Sequence, residues 1–266
     1  MFLNKTVIKL KVKNILVSQP KPVDLERSPY GDLCKKFNLK IDFHKFIKIE
    51  PVTAKEFRQA KGSLQGHTAV ILTSRHAVDH FFRIAKELRH EIPDSTKYFC
   101  ISESTAYYLQ KYVQYRKRKI FYGKQNFADL MEVLKKHKEE KFLVPSSDIH
   151  KQSMFEMLNK EKVDYTQAVI YKTVASNLSD LDISKYDVVI FFSPAGVKSL
   201  LKNFPDYQQN SSLIAAFGPT TAKAVKEEGL RLDIPAPTKS APSMAMAIEQ
   251  YLVKLAKENK KNGNNK

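Results

Sequence analysis

The sequence predicts an α/β protein made of two similar three-layer domains, each a parallel sheet with helices on both faces, and three observations carry that prediction. Short apolar runs alternate with amphipathic stretches along nearly all of the 266-residue chain. The alternation then repeats at an offset of roughly 115–120 residues. Two segments break the rhythm: KIDFHKFIKIEPV at 40–52 and VDYTQAVIYKTV at 163–174 are longer, β-branched or aromatic, and run into no helix. Strands of that length suit a two-stranded connector between domains.

Taken in order, the apolar runs at 14–18, 68–73, 97–101, 118–122, 141–144, 187–192, 212–217 and about 230–233 read as strands. Continuous rather than alternating apolarity is the mark of strands covered on both sides. The segments 74–89, 103–113, 126–137, 150–161, 194–203, 219–228 and 241–257 space their apolar residues as helices do. Repetition is visible within them. VILTSRHAVDHFF (70–82) lies over VIFFSPAGVKSLL (189–201), FCISESTAYYL (99–109) over AFGPTTAKAV (216–225), and NFADLMEVL (126–134) over SAPSMAMAI (240–248). Thr105-Ala106 thereby matches Thr221-Ala222, and Asn126 matches Ser240 as the residue before a helix. The closing KENKKNGNNK is polar and aperiodic and predicts a disordered basic tail over 258–266.

Composition narrows the function. A formal charge of +17 calls for an anionic partner. Two cysteines, Cys34 and Cys100, are too few for a disulfide framework and fit a reducing compartment. The opening MFLNKTVIKLKVKNILV is broken by Lys5, Lys9, Lys11 and Lys13, and no apolar run reaches bilayer-spanning length, so a cytoplasmic protein is expected. With eight glycines, no G-x-G-x-x-G and no G-x-x-x-x-G-K-[ST], a nucleotide loop is not predicted. No His/Asp/Glu cluster stands at metal-ligand spacing, and His44, His80, His90, His137 and His150 read as surface or strand-edge residues. Neither a metal nor another cofactor is expected.

Chemistry is expected where strands run into helices. Ser74, Ser102, Asn126, Ser193, Ser240 and the Gly218-Pro219-Thr220 turn stand at such junctions, with Pro194 and Pro219 suited to a first helical position. Each alone is explained by capping. Together they are helix starts gathered at the carboxyl ends of parallel strands, where free N–H groups and partial positive charge receive anions. Two such domains facing each other would line a cleft suited to a ligand with many carboxylates or phosphates.

FFSPAGV, then AAFGPTTAKAVKEEGL, then 240–248, preceded by AVIYKTV, resembles the C-terminal half of uroporphyrinogen-III synthases. ILVSQP, AVILTSRHAV and SESTAYYL resemble its N-terminal half more loosely, so the likeness covers about residues 14–255. The resemblance implies one α/β domain inserted into another: 13–44 with 174–257, the insert 50–166, and connector strands at 45–49 and 167–173. It implies a small-molecule substrate and no cofactor; the sequence shows no sign of a large apolar patch, so a monomer is expected, with neither membrane nor nucleic acid as partner. The reaction implied is cyclisation of hydroxymethylbilane, a linear tetrapyrrole with eight carboxylates, with inversion of its last ring and loss of water. Tyr171 matches the family's cleft-edge tyrosine and would assist departure of the substrate hydroxyl; a plain ladder aromatic is the other reading. Ser74, His76, Thr105, Ser193, Gly218, Pro219, Thr220 and Ser240 match carboxylate-holding positions, with Arg75 adding charge beside Ser74; Ser102 and Pro194, at helix starts, are expected to bind substrate with them.

The sequence also departs from the family pattern. Ser18-Gln19-Pro20 replaces a common Thr-Arg-Pro, Ser102 a glycine and Ala195 a serine, and VPSSDIHKQSMF lacks the usual glycine and arginine. A non-catalytic member that binds a tetrapyrrole or another polycarboxylate as sensor or scaffold is the alternative. The basic runs YRKRK (115–119) and KKHK (135–138) read as solvated faces rather than nucleic-acid sites.

Overall fold

Burial of each strand on both faces organises the whole chain. The computed structural model describes residues 12–124, 126–149 and 152–263, with side chains as far as Glu258. The expectations for residues 1–11, His150 and the last three residues lie outside the described residues. The chain divides into two compact units, one running to Lys48 and resuming at Val174, the other spanning Ile49–Thr173. Both are mixed α/β, and every strand pairing with a described register is parallel.

The first unit contains β1 (Asn14–Val17), α1 (Pro29–Phe37) and β2 (Lys40–Phe43), then β9 (Val188–Phe191), α7 (Pro194–Asn203), β10 (Leu213–Phe217), α8 (Pro219–Glu227), β11 (Ile234–Ala236) and α9 (Met244–Gly263). Its sheet runs β11-β10-β9-β1-β2. Strand periodicity sorts the side chains. Ile15, Val17, Val188 and Ile190 pack with Leu33 of α1 and with Met244, Ile248 and Leu252 of α9. Leu16, Val189 and Phe191 pack on the other face with Val197 and Leu200 of α7 and Val225 of α8.

The second unit is built from β3 (Ile47–Pro51), α2 (Ala54–Gln59), β4 (Ala69–Leu72), α3 (Arg75–Glu87), β5 (Lys97–Cys100), α4 (Glu103–Leu109), β6 (Ile120–Tyr122), α5 (Phe127–Leu134), β7 (Phe142–Ser147), α6 (Gln152–Lys160) and β8 (Tyr165–Ala175). Its order is β3-β8-β7-β4-β5-β6. Val70, Leu72 and Cys100 meet α3 and α4 on one face, and Ile71, Phe99 and Val144 meet α5 and α6 on the other.

Of the two long segments expected as a connector, 40–52 is split: Lys40–Phe43 joins the first sheet as β2, and only Ile47–Pro51, β3, lies beside β8. Strand β8 neighbours β3 and also pairs with β7 from Phe142↔Tyr165 to Ser147↔Tyr171, because joining the sheet gives its backbone a second set of partners. Three further expectations are corrected. The strand expected at 230–233 lies instead at Ile234–Ala236. Pro235 sits on an edge strand, where a missing N–H breaks no ladder, and so Pro there is no barrier. The last helix begins at Met244, not at 241, because Pro242 disfavours helical backbone at the residue before it. Its backbone also continues through Gly263, so residues 258–263 are helical; Lys, Glu and Asn propagate an existing helix at little cost, and no glycine interrupts before Gly263. Among the described residues no helix is long and apolar enough to cross a membrane.

Candidate active site

In the second unit the strand AVIL is buried on both sides and ends at Thr73-Ser74, where α3 begins. Ser74 is extended (φ −164°, ψ 165°), and its Oγ accepts from the Ala77 N–H at 3.0 Å. On β8, Tyr171 is 8% exposed. Its ring stacks on His80 with centroids 5.0 Å apart and lies 6.4 Å from His76, both on α3. Burial pushes the Tyr171 hydroxyl above the ordinary tyrosine range, the adjacent Ser74 hydroxyl draws it back in part, and the Asp148 carboxylate adds to the rise. At neutral pH the phenol keeps its proton, as an ordinary tyrosine does.

His80 and Arg83 secure this arrangement. Arg83 Nε donates to His80 Nδ1 at 3.2 Å, which leaves the proton of the neutral ring on Nε2. Its Nη2 donates to the carbonyls of Val52 (2.9 Å) and Ile170 (3.0 Å), and its Nη1 to Glu87 at 2.6 Å. The guanidinium thus ties α3 to the backbone beside Tyr171. Burial lowers the His80 pKa, with the charges of Arg83 and His76 adding and those of Asp79 and Glu87 opposing.

Tyr171 and Ser74 line a cavity of about 340 Å³ together with Thr73, Asn126, Ser146, Ser147 and Ser153, closed by Ile101, Phe127, Ile149, Met154 and Met157. Hydroxyls and an amide on an apolar wall are suited to orienting a polar, partly apolar ligand. Asp148 stands between the lining residues Ser147 and Ile149: burial opposes its ionisation, but the Thr173 N–H, the Ser147 hydroxyl and the Ile149 N–H donate to it and hold it below the ordinary carboxylate range. Its carboxylate is occupied by these donors and organises the turn.

The remaining predicted residues of this unit fall around the same sheet end. Arg75 and His76 are exposed on the first turn of α3, Arg75 lying 5.3 Å over the Tyr108 ring. Ser102 stands at the start of α4 but makes no capping bond; its Oγ meets Ser104 Oγ (3.1 Å) and Thr105 Oγ1 (3.2 Å). Thr105 is buried, as is its repeat partner Thr221. Asn126 caps α5 in a reciprocal box with Asp129.

In the first unit, Ser193 caps α7 through the Gly196 N–H (3.1 Å), with Pro194 next. Gly218 precedes α8 with φ 89° and ψ 152°, a backbone state open essentially to glycine alone, and no side chain caps that helix. Pro219 and Thr220 follow, both exposed. These helix starts stand at the carboxyl ends of β9 and β10. Ser240 is a correction: it caps nothing, lies in the loop before α9 and bonds Gln250 through Oγ (3.3 Å) and its carbonyl (2.7 Å). Ser243 takes the capping place, accepting from Met246 N–H at 3.2 Å. Among the described residues the fold also assembles an acid and histidine cluster that was not expected, from the near neighbours His137, Glu139 and Glu140, whose ligand atoms lie within 4.8 Å of one another. Lys97 Nζ lies 2.5 Å from Glu140 and 3.7 Å from Glu139, so a lysine already supplies the cation there, and His137 is packed on Phe121 rather than free at the surface.

The family profile described as uroporphyrinogen-III synthase HemD matches residues 30–246. The chain belongs to the uroporphyrinogen-III synthase family. No curated protein sequence matches it significantly. Among solved structures it is similar to uroporphyrinogen-III synthetase from Helicobacter pylori 26695, with 19% identity, TM-score 0.54, and coverage of 91% of this chain and 99% of that one. It is also similar to a mutant uroporphyrinogen III synthase from Thermus thermophilus, with 13% identity, TM-score 0.51, and coverage of 93% and 100%. At such identities these two likenesses establish the fold. In this synthase-family chain, sequence reasoning missed Ser146, Ser147, Ser153, His80 and Arg83. The hydroxyls of VPSSD were visible as a run, but nothing local showed that they meet Tyr171.

Proposed function

We propose that this chain is a uroporphyrinogen-III synthase acting through Tyr171, closing hydroxymethylbilane with inversion of the last ring. The carrying observation is the Tyr171 phenol, buried on β8 and set beside Ser74 at the start of α3. The phenol donates its proton to the substrate hydroxyl as the C–O bond breaks, and water leaves. The already substituted α-carbon of the last ring attacks the freed methylene, the bond from that carbon to its original methylene bridge breaks, and that bridge re-forms at the ring's unsubstituted α-carbon, so that the ring is inverted; the proton lost there on rearomatisation balances the one donated. Departure of this hydroxyl is chemically easy. Holding the chain so that the correct carbon attacks therefore carries most of the rate. In the second unit the start of α3 with Ser74, Arg75, His76, Ser102 and Thr105, and in the first unit the starts of α7 and α8 with Ser193, Pro194, Gly218, Pro219 and Thr220, together with Ser240, are assigned to the substrate carboxylates, each offering N–H groups, hydroxyls or positive charge.

The same reading places the enzyme in the cytoplasm as a monomer, with no membrane or nucleic acid required by the reaction; free Cys34 and Cys100 support a reducing compartment. The experiment supplies fresh hydroxymethylbilane and separates type I from type III product. Type III above the spontaneous type I background is expected; type I alone from folded protein overturns the proposal.

A further inference from the structure

Between Glu103 and Asp129 the chain has no acidic residue, but it has six cations, Lys111, Arg116, Lys117, Arg118, Lys119 and Lys124, and five tyrosines. The structure lays this stretch along the edge of the second unit, through α4 and the edge strand β6. Of the twelve tyrosines in the chain, the four exposed ones are Tyr107, Tyr112, Tyr115 and Tyr122, all from this stretch, Tyr107 at 75%. Isolated exposed rings need no explanation, but four within sixteen positions form a patch. None of the six cations makes an ion pair with a described residue, whereas lysines elsewhere in the unit, such as Lys97, Lys135 and Lys172, do.

A cavity of about 520 Å³ opens within the patch, lined by Phe82, Tyr98 and Tyr112 and by Lys86, Arg116 and Lys119, with Asp94 its single acid. Because β4, β5 and β6 are parallel, this cavity, at the amino ends of β5 and β6, lies at the opposite end of the sheet from Ser74 and Ser102. Tyr112 is a prepared ring, stacked on Phe82 at 4.5 Å with planes 2° apart and held by its hydroxyl on Asp79 at 2.7 Å.

We propose that this face binds single-stranded nucleic acid, with phosphates on Arg116, Arg118 and Lys119 and bases stacked on the exposed tyrosines and in the cavity beside Tyr112. Unpaired cations attract the backbone without first breaking an internal pair, and fixed rings offer stacking that any base can use. The helix starts of the reaction site differ in kind: they offer N–H groups and hydroxyls.

The test is fluorescence anisotropy of the full chain with a labelled oligouridylate of about twelve nucleotides at about 0.15 M salt, matched to the site sizes of single-strand binders. R116A/R118A should weaken binding about tenfold and reduce the slope of log affinity against log salt by about 1.4, near 0.7 for each phosphate no longer neutralised. Y112A/Y115A should weaken it about fivefold or more with the slope unchanged. Tyr115→Ala alone, outside every core cluster, serves if the pair disturbs packing. K136A/K160A, exposed lysines elsewhere on the unit, should stay within about twofold. Circular dichroism checks that each variant is folded. The proposal is overturned if the oligonucleotide does not bind, if inorganic polyphosphate competes equally well, if the tyrosine variants bind like wild type, or if phosphatidylserine vesicles hold the chain while the oligonucleotide does not.

Discussion

Tyr171 is gripped from several sides: the His80 ring on its face, Ser74 at its hydroxyl, and Arg83 on the carbonyl of the preceding residue. If the phenol assists departure of an easy leaving group, Tyr171→Phe should slow type III formation by roughly tenfold to a hundredfold without abolishing it, the low side of general-acid contributions. Complete loss in a folded variant would mean the phenol does more than assist. His80 gives a second prediction with a definite sign. Its pKa lies below 6.5 in the fold, so the unfolded chain takes up this proton first as pH falls. Stability therefore falls as pH drops through about 6.5 and levels off below the folded pKa. His80→Phe keeps a ring on Tyr171 but removes the titration; urea midpoints between pH 7.5 and 5 should fall less in the variant than in wild type. Equal slopes would place the pH response elsewhere. Tyr171 could be singled out in the sequence through its motif. His80 and Arg83 could not, because a spacing of three on α3 puts them on one helix face without saying which strand that face meets.

Helix starts are the elements most legible in the amino-acid order. Ser74, Asn126 and Ser193 all cap helices as the residue types predict. Capping is local chemistry between a side chain and an N–H two or three residues on. Asn126→Ala should accordingly cost about 1 kcal/mol in denaturant unfolding. Gly218→Ala should cost about 1–3 kcal/mol, although an added Cβ meets nothing within 4 Å, because the cost is backbone strain at φ 89°. A neutral result would require the turn before α8 to relax, and with it the N–H groups offered to an anion. Helix α1, which apolar spacing alone does not predict, is nonetheless signalled by Ser28 and Pro29, its cap and first residue. Strand β11 and the start of α9 are not, because both depend on prolines whose effect is set by edge position and by the Thr238–Ala241 turn.

The whole molecule carries a charge of +17, and the proposed substrate is a polyanion. Encounter should be steered electrostatically, so kcat/KM for type III formation should fall about threefold to tenfold from low salt to 0.3 M, with kcat little changed. A flat salt profile would confine the useful charge to the site itself. The sequence by itself determined the α/β class, the repeated strand-to-helix junctions and the family, because periodicity, capping and motif spacing are properties of neighbouring residues. Only the tertiary structure decided that β8 joins a six-stranded sheet, that Ser146 and Ser147 reach the Tyr171 cavity, and that Ser243 rather than Ser240 starts α9. It also decided that four of the five tyrosines of one acid-free stretch stand in solvent. Each of these depends on which distant segments share backbone bonds and apolar surface, and that is settled by packing the whole chain at once.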